Sequence, residues 1–215
     1  MIGIIDYNAG NIRSVEHALA ALNCEYVISK NPAELERADK LIFPGVGDAR
    51  YAMEQLKHTG FDSFLKDKTA AGIPILGICL GSQIIFDYSE EGDTECLGLV
   101  PGRIRHFSSI NKRFPFKVPH MGWNDIYYTE MEKSAPCRLF TEVPEHTAFY
   151  FVHSYVIQPE DTRIVTAAAD YGISVPAAIR SGNVYALQFH PEKSGEPGLR
   201  ILKNFAERIP PAGGC

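Results

Sequence analysis

Pro74-Ile75-Leu76-Gly77-Ile78-Cys79-Leu80-Gly81-Ser82-Gln83 decides the fold. Pro74 to Cys79 is a short apolar run of buried-strand character, and Leu80 to Tyr88 reads as the helix that follows it directly. A strand that turns straight into a helix at Gly-x-Cys-x-Gly matches the nucleophile elbow, with a thiol where a hydroxyl often stands. Such a turn strains the nucleophile's backbone, and the flanking glycines leave room for it. The helix N-terminus then aims N–H groups and positive potential at the sulfur. A structural core cysteine is the competing reading for any free thiol. Cys24, Cys96, Cys137 and Cys215 have no such context and are read that way.

Upstream of the elbow, apolar strands and amphipathic helices alternate. Ile2 to Asp6 reads as a first buried strand. Ile12, Val15, Leu19 and Leu22 recur at helical spacing behind Asn11, a candidate N-cap. Glu25 to Ser29 is a second strand. Asn31-Pro32-Ala33-Glu34 carries the signature of a helix start, with Pro at the first helical position. Leu41-Ile42-Phe43 is a third strand, closed by Pro44-Gly45. Two helices follow, over Ala49–Lys57 and Phe61–Ala71, with Gly60 and Gly72 as their stops. This alternation implies an α/β fold: an open, mostly parallel sheet flanked by helices.

Downstream, the runs shorten and grow richer in aromatic and β-branched residues. Phe149 to Val152 reads as a strand. Ala177 to Arg180 and Val184 to Phe189 flank the turn Ser181-Gly182-Asn183 as a hairpin. An amphipathic helix built on Leu199, Leu202 and Phe205 closes the chain. The expected organisation is one domain over residues 1–209 with a β-rich second half, and a Pro/Gly tail over 210–215 expected to fray.

Lys+Arg number 21 against 26 Asp+Glu, a net charge of −5. An acidic chain of this kind lacks the electrostatic footprint for nucleic acid or an anionic membrane surface. No apolar run approaches the roughly 18 residues of a membrane span. Five scattered cysteines without a CxxC pair argue against a disulfide framework or structural zinc, and no HExxH points to a metal enzyme. With no basic region ahead of the first apolar run, a reducing cytoplasm is expected. No cofactor is implied, and no phosphate-binding G-x-x-x-x-G-K-[ST] loop is present.

A second constellation completes the elbow. Gln188-Phe189-His190-Pro191-Glu192 follows the last strand. On extended backbone, residues two apart point the same way, so Glu192 is placed to orient His190 while Pro191 stiffens the link. A thiol needs a base, and the base needs an orienting acceptor.

Gly77-Ile78-Cys79-Leu80-Gly81-Ser82-Gln83 together with Phe189-His190-Pro191-Glu192 resembles the triad-type, class I glutamine amidotransferases, over nearly the whole chain. The resemblance implies a flavodoxin-like fold. It also implies Cys79 as nucleophile, His190 as base and acid, and Glu192 as orienter, with L-glutamine as substrate. By the same resemblance, an oxyanion hole forms from Leu80 and the Pro44-Gly45-Val46-Gly47 loop, with Val46 or Gly47 as second donor. Gln83, Gly45, Gly47, His153, Ser154 and Tyr155 are the implied substrate-binding residues. Many relatives carry glycine where this chain has Val46, and a β-branched residue resists positive φ. The loop amide is therefore expected to need help from a partner.

Pro119-His120-Met121-Gly122-Trp123-Asn124, Phe151-Val152-His153-Ser154-Tyr155 and Pro191-Glu192-Lys193-Ser194-Gly195 narrow the resemblance to glutaminase subunits of imidazole glycerol phosphate synthases. Ile173-Ser174-Val175-Pro176 departs from that pattern without touching the triad. The resemblance implies a heterodimer with a TIM-barrel cyclase subunit of histidine biosynthesis. Tyr7 to Asn11, Trp123-Asn124 and Lys193-Ser194 are the expected docking surface, with Trp123 as interface aromatic or, equally, a core anchor. Competing readings are the glutaminase of a pyridoxal phosphate, anthranilate or GMP synthase, a γ-glutamyl hydrolase-like peptidase, and a degenerate binding module.

Overall fold

The computed structural model describes residues 1–213; the expectations for Cys215 and for the end of the tail lie outside them. The first half runs β1 (Ile2–Ile5), α1 (Ile12–Ala21), β2 (Tyr26–Ser29), β3 (Lys40–Gly45), α2 (Ala49–Thr59), α3 (Phe61–Ala70), β4 (Ile75–Cys79) and α4 (Leu80–Ile84). The second half is β5 (Tyr88–Ser89), β6 (Thr94–Glu95), β7 (Gly102–His106), α5 (Phe107–Ile110), β8 (His120–Asp125), β9 (Tyr127–Tyr128), α6 (Glu130–Ser134), β10 (Ala148–His153), β11 (Tyr155–Pro159), β12 (Val165–Asp170), β13 (Ser174–Ser181), β14 (Val184–Leu187) and α7 (Gly195–Glu207).

Eight strands form the main sheet in the order β2-β1-β3-β4-β14-β13-β12-β9. Pairing is parallel from β2 to β14 and antiparallel beyond it. Side chains alternate across the parallel strands, as a period of two demands. Ile42, Leu76 and Ile78 join α1 and α7 in one core through Val15, Leu19, Ile201 and Phe205. Leu41, Phe43 and Ile75 join α2, α3 and α4 in a second core on the opposite face, through Met53, Leu56, Leu65 and Ile84. Two smaller sheets, β10-β8 and β11-β7-β5-β6, account for the β-rich second half.

Four local expectations are corrected. Asn31 starts only a 3-10 turn over Pro32–Leu35, because Glu34 accepts from the Ser29 hydroxyl at 2.7 Å instead of closing a capping box. Pro44-Gly45 does not close the third strand. It extends β3 alongside β4, with Gly45 opposite Cys79. The elbow helix stops at Ile84, since the following backbone turns to meet Leu97 and Leu99. Asn11 occupies the N-cap position of α1 without capping it; its side chain accepts from Ser14 Oγ at 3.0 Å and donates elsewhere.

Candidate active site

Cys79 is the last residue of β4 and sits at φ 54°, ψ −114°, a backbone conformation that few non-glycine residues hold. Close packing of α4 against β3 enforces it. A Cβ on Gly81 would run into the Phe43 carbonyl oxygen, and one on Gly45 would lie 2.5 Å from the Gly81 nitrogen. The thiol faces the Val152 carbonyl at 3.8 Å. Leu80 opens α4, so its N–H has no partner within the helix.

His190 does not ride on a strand. β14 ends at Leu187, and Pro191–Lys193 is a 3-10 turn. That turn brings Glu192 back onto the imidazole, with Nδ1 to Oε1 at 2.7 Å and both side chains almost fully buried. The backbone is pinned twice: His190 N–H donates to the Tyr150 carbonyl at 2.9 Å, and Ser194 Oγ donates to the His190 carbonyl at 2.6 Å. Burial disfavours the imidazolium, yet Cys79 and Glu192 outweigh it and lift the His190 pKa to about 10. In this conformation the buried Nε2 has no partner among the described residues that meets hydrogen-bond geometry, the thiol included. Such bonds commonly tighten only when substrate arrives.

These groups meet in one cleft of about 320 Å3, lined by Val46, Gly47, Cys79, Leu80, Gln83, His153, Ser154, Tyr155, His190 and Lys193, with Glu91, Pro119 and Val152. Gln83 Nε2 donates to the Tyr155 carbonyl at 3.0 Å and to Gln188 Oε1 at 2.8 Å. A carbonyl only accepts, so the amide's orientation is fixed and Oε1 is what Gln83 has left for a ligand. Gly45 lies beneath the cleft floor, packed against Gly81 and Tyr7. Gly47 holds φ 97°. Val46 does not, and its N–H donates to the Ala9 carbonyl at 3.0 Å. In this conformation Val46 offers the cleft no amide.

The expected docking surface divides. Trp123 is 60 % exposed and Met121 61 %, so Trp123 is no core anchor. Lys193 is exposed at the cleft rim. Tyr7, Ala9 and Ser194 are buried and therefore unavailable for docking, because Tyr7 packs on Phe43 and Ser194 ties Tyr150 to His190. Asn11 donates to Glu192 Oε1 at 3.3 Å, which attaches it to the His190–Glu192 pair. Asn124 bonds inward, to His120. The Asn11–Glu192 contact was not visible in the sequence, since 181 residues separate the two.

A doubly wound sheet carrying a Cys elbow that faces a His–Glu pair defines a triad hydrolase. The sequence pattern of the family described as Glutamine amidotransferase class-I matches residues 3–209, and the chain belongs to that family. Solved structures agree on the fold. A crystal structure of a glutamine amidotransferase superposes with a TM-score of 0.71 at 20 % identity, over 94 % of this chain and 97 % of that one. PurLQS from Thermotoga maritima gives 0.66 at 20 % identity, over 94 % and 95 %. Within the family the chain belongs with the HisH subunits of imidazole glycerol phosphate synthase. It is 47 % identical to that of Geobacillus sp. (strain WCH70), over 97 % of both chains. With the HisH of Geobacillus kaustophilus it shares 48 % over 95 % of both, and with that of Nitratidesulfovibrio vulgaris (strain DSM 19637 / Miyazaki F) 46 % over 95 % of both.

Proposed function

We propose that this chain is the glutaminase subunit of an imidazole glycerol phosphate synthase, hydrolysing L-glutamine at Cys79 and passing the ammonia to a separate cyclase subunit for histidine biosynthesis. The observation that carries the residue assignment is the strained Cys79 elbow opening into one cleft with the buried His190–Glu192 pair. Cys79 and His190 share one proton, held on the imidazole as sulfur attacks the side-chain amide carbon. The imidazole returns a proton to the leaving nitrogen, and ammonia departs from a Cys79 glutamyl thioester. A water activated by the same imidazole then cleaves the thioester to glutamate. Glu192 holds the ring with its Nδ1 proton directed away from sulfur, and Asn11 steadies the carboxylate.

The negative charge that forms on the amide oxygen is met by the Leu80 N–H and by an amide of the Val46–Gly47 segment. Gln83, Ser154 and Tyr155 shape the pocket for the substrate's amino acid end, and His153 walls it. The cyclase, a TIM barrel, docks over the cleft mouth on Met121, Trp123 and Lys193, where it would also receive the ammonia. The reaction runs in the cytoplasm, where Cys79 stays reduced.

A glutamine-mimicking electrophile tests the assignment. Peptide mapping by mass spectrometry is expected to find one adduct, on Cys79, that excess glutamine prevents. Preferential labelling of Cys24, Cys96 or Cys137 would refute it.

A further inference from the structure

His153 lines the cleft, yet neither of its ring nitrogens is free to meet a substrate. Nδ1 lies 2.7 Å from the Tyr155 carbonyl oxygen and Nε2 lies 2.9 Å from His120 Nδ1. A carbonyl oxygen only accepts, so His153 Nδ1 carries the hydrogen, and in the neutral ring Nε2 is then an acceptor. His120 Nδ1 must therefore donate. That leaves His120 Nε2 as an acceptor, and Asn124 Nδ2 meets it at 3.2 Å while also donating to the Asp170 carbonyl at 2.9 Å.

The bonds form a single polarised chain, from Asn124 through His120 and His153 to the Tyr155 carbonyl. There they meet the Gln83 amide, which donates to the same oxygen. His120 itself is clamped between two rings, Tyr171 at 4.0 Å and Phe151 at 4.7 Å, each tilted by 19°. Burial lowers the His120 pKa to about 4; burial, then His120, lowers that of His153 to about 3. Both rings are thus neutral at pH 7, as the polarity requires.

We propose that His120 is a positioning residue for the glutamine cleft: its Nδ1–H fixes the His153 ring, and through it the Tyr155 carbonyl and the Gln83 amide that border the substrate. It sits behind the cleft wall and touches no reacting atom. The chain of bonds begins one residue from exposed Trp123, so it also ties β8 to the substrate pocket. The inference rests on the glutaminase reading of the cleft.

Two readouts test it. In 15N NMR of the histidine-labelled full chain at pH 7, both His120 and His153 are expected neutral with the hydrogen on Nδ1. A hydrogen on His153 Nε2, or a charged ring, would overturn the proposal without any variant. In steady-state assays with the cyclase present, His120→Phe keeps the stacked aromatic slot and loses both hydrogen bonds. Its KM for glutamine is expected to rise about tenfold with kcat within about twofold. His120→Asn, whose amide offers a donor toward His153, is expected to return KM to within about threefold of wild type. An unchanged KM in His120→Phe, or a fall in kcat alone in both variants, would contradict the positioning role. A wild-type chain inactive on glutamine would strike the glutaminase reading instead and leave the NMR result to decide this one.

Discussion

The two ring nitrogens of His190 are placed differently. Nδ1 is committed to Glu192, and Nε2 is buried beside Cys79 without a partner among the described residues. An unpaired buried nitrogen is costly unless something uses it, and the use proposed here is a proton shuttle to sulfur. In the proposed mechanism the imidazole moves the protons whereas Glu192 only orients and charges it, so their losses should differ. His190→Ala is expected to reduce kcat for glutamine hydrolysis by about 10²–10⁴-fold. Glu192→Gln, which still offers an acceptor oxygen to Nδ1, is expected to lose less. Equal losses in the assembled complex would give Glu192 a larger role than orientation.

Elements hold these residues by contact rather than by flexibility. The approach of α4 to β3 is so close that Gly81 cannot gain a methyl group without moving the Phe43 carbonyl. Gly81→Ala is therefore expected to destabilise the fold by about 1–3 kcal/mol, by overpacking, and to reduce glutaminase activity more than stability by shifting the Leu80 amide. Denaturant titration beside an activity assay separates the two effects.

Further from the site, the short helix α6 carries a buried liability. Glu132 accepts from the Cys137 N–H at 2.7 Å, but its other oxygen has no partner among the described residues. Burial pushes its pKa up from 4.5 to about 7, against the lowering pull of that bond and of Arg180. The folded state therefore holds a proton there that the unfolded state has released between pH 4.5 and 7. Stability contributed at this site falls as pH rises through that window, and the full cost stands above it. Glu132→Gln keeps the acceptor and removes the charge, so it should raise Tm by several degrees at pH 8 and change it little near pH 4. A variant less stable than wild type at pH 8 would contradict this.

Across the whole molecule, local signals in the sequence were sufficient for the parallel half and the elbow, where strand, turn and helix are consecutive. The same holds for His190 and Glu192, which lie two residues apart, although a 3-10 turn and not a strand brings them together. The connections between distant segments left no such signal. Asn11 reads as a helix cap and reaches Glu192; His120 stands in the Pro119–Asn124 motif without a role of its own and is buried against His153. Tyr7 was grouped with a surface loop, yet the β1–α1 connection folds its ring under Gly45. These contacts follow from how the β10-β8 sheet and the β1–α1 loop close over the cleft, which depends on packing and not on periodicity.

Assembly is where the whole-molecule account makes its demand. Val46 gives its amide to Ala9 in this conformation, so the proposed oxyanion site lacks one of its candidate donors until the loop turns. A missing donor costs on the order of 10²–10³ in rate. The isolated chain is expected to hydrolyse glutamine slowly and to be accelerated by about that factor when cyclase and an acceptor analogue are added. Equal rates for the chain alone, with cyclase, and with both would remove the coupling and leave the triad intact.

Under the proposed function, Cys79 alone converts glutamine into ammonia and the acceptor chemistry belongs to the cyclase partner. The most direct measurement is synthesis by the reconstituted complex carrying Cys79→Ala, supplied in parallel with glutamine and with an ammonium salt. No turnover is expected with glutamine and wild-type-like turnover with ammonium; glutamine-dependent synthesis surviving in Cys79→Ala would rule out Cys79 as the nucleophile.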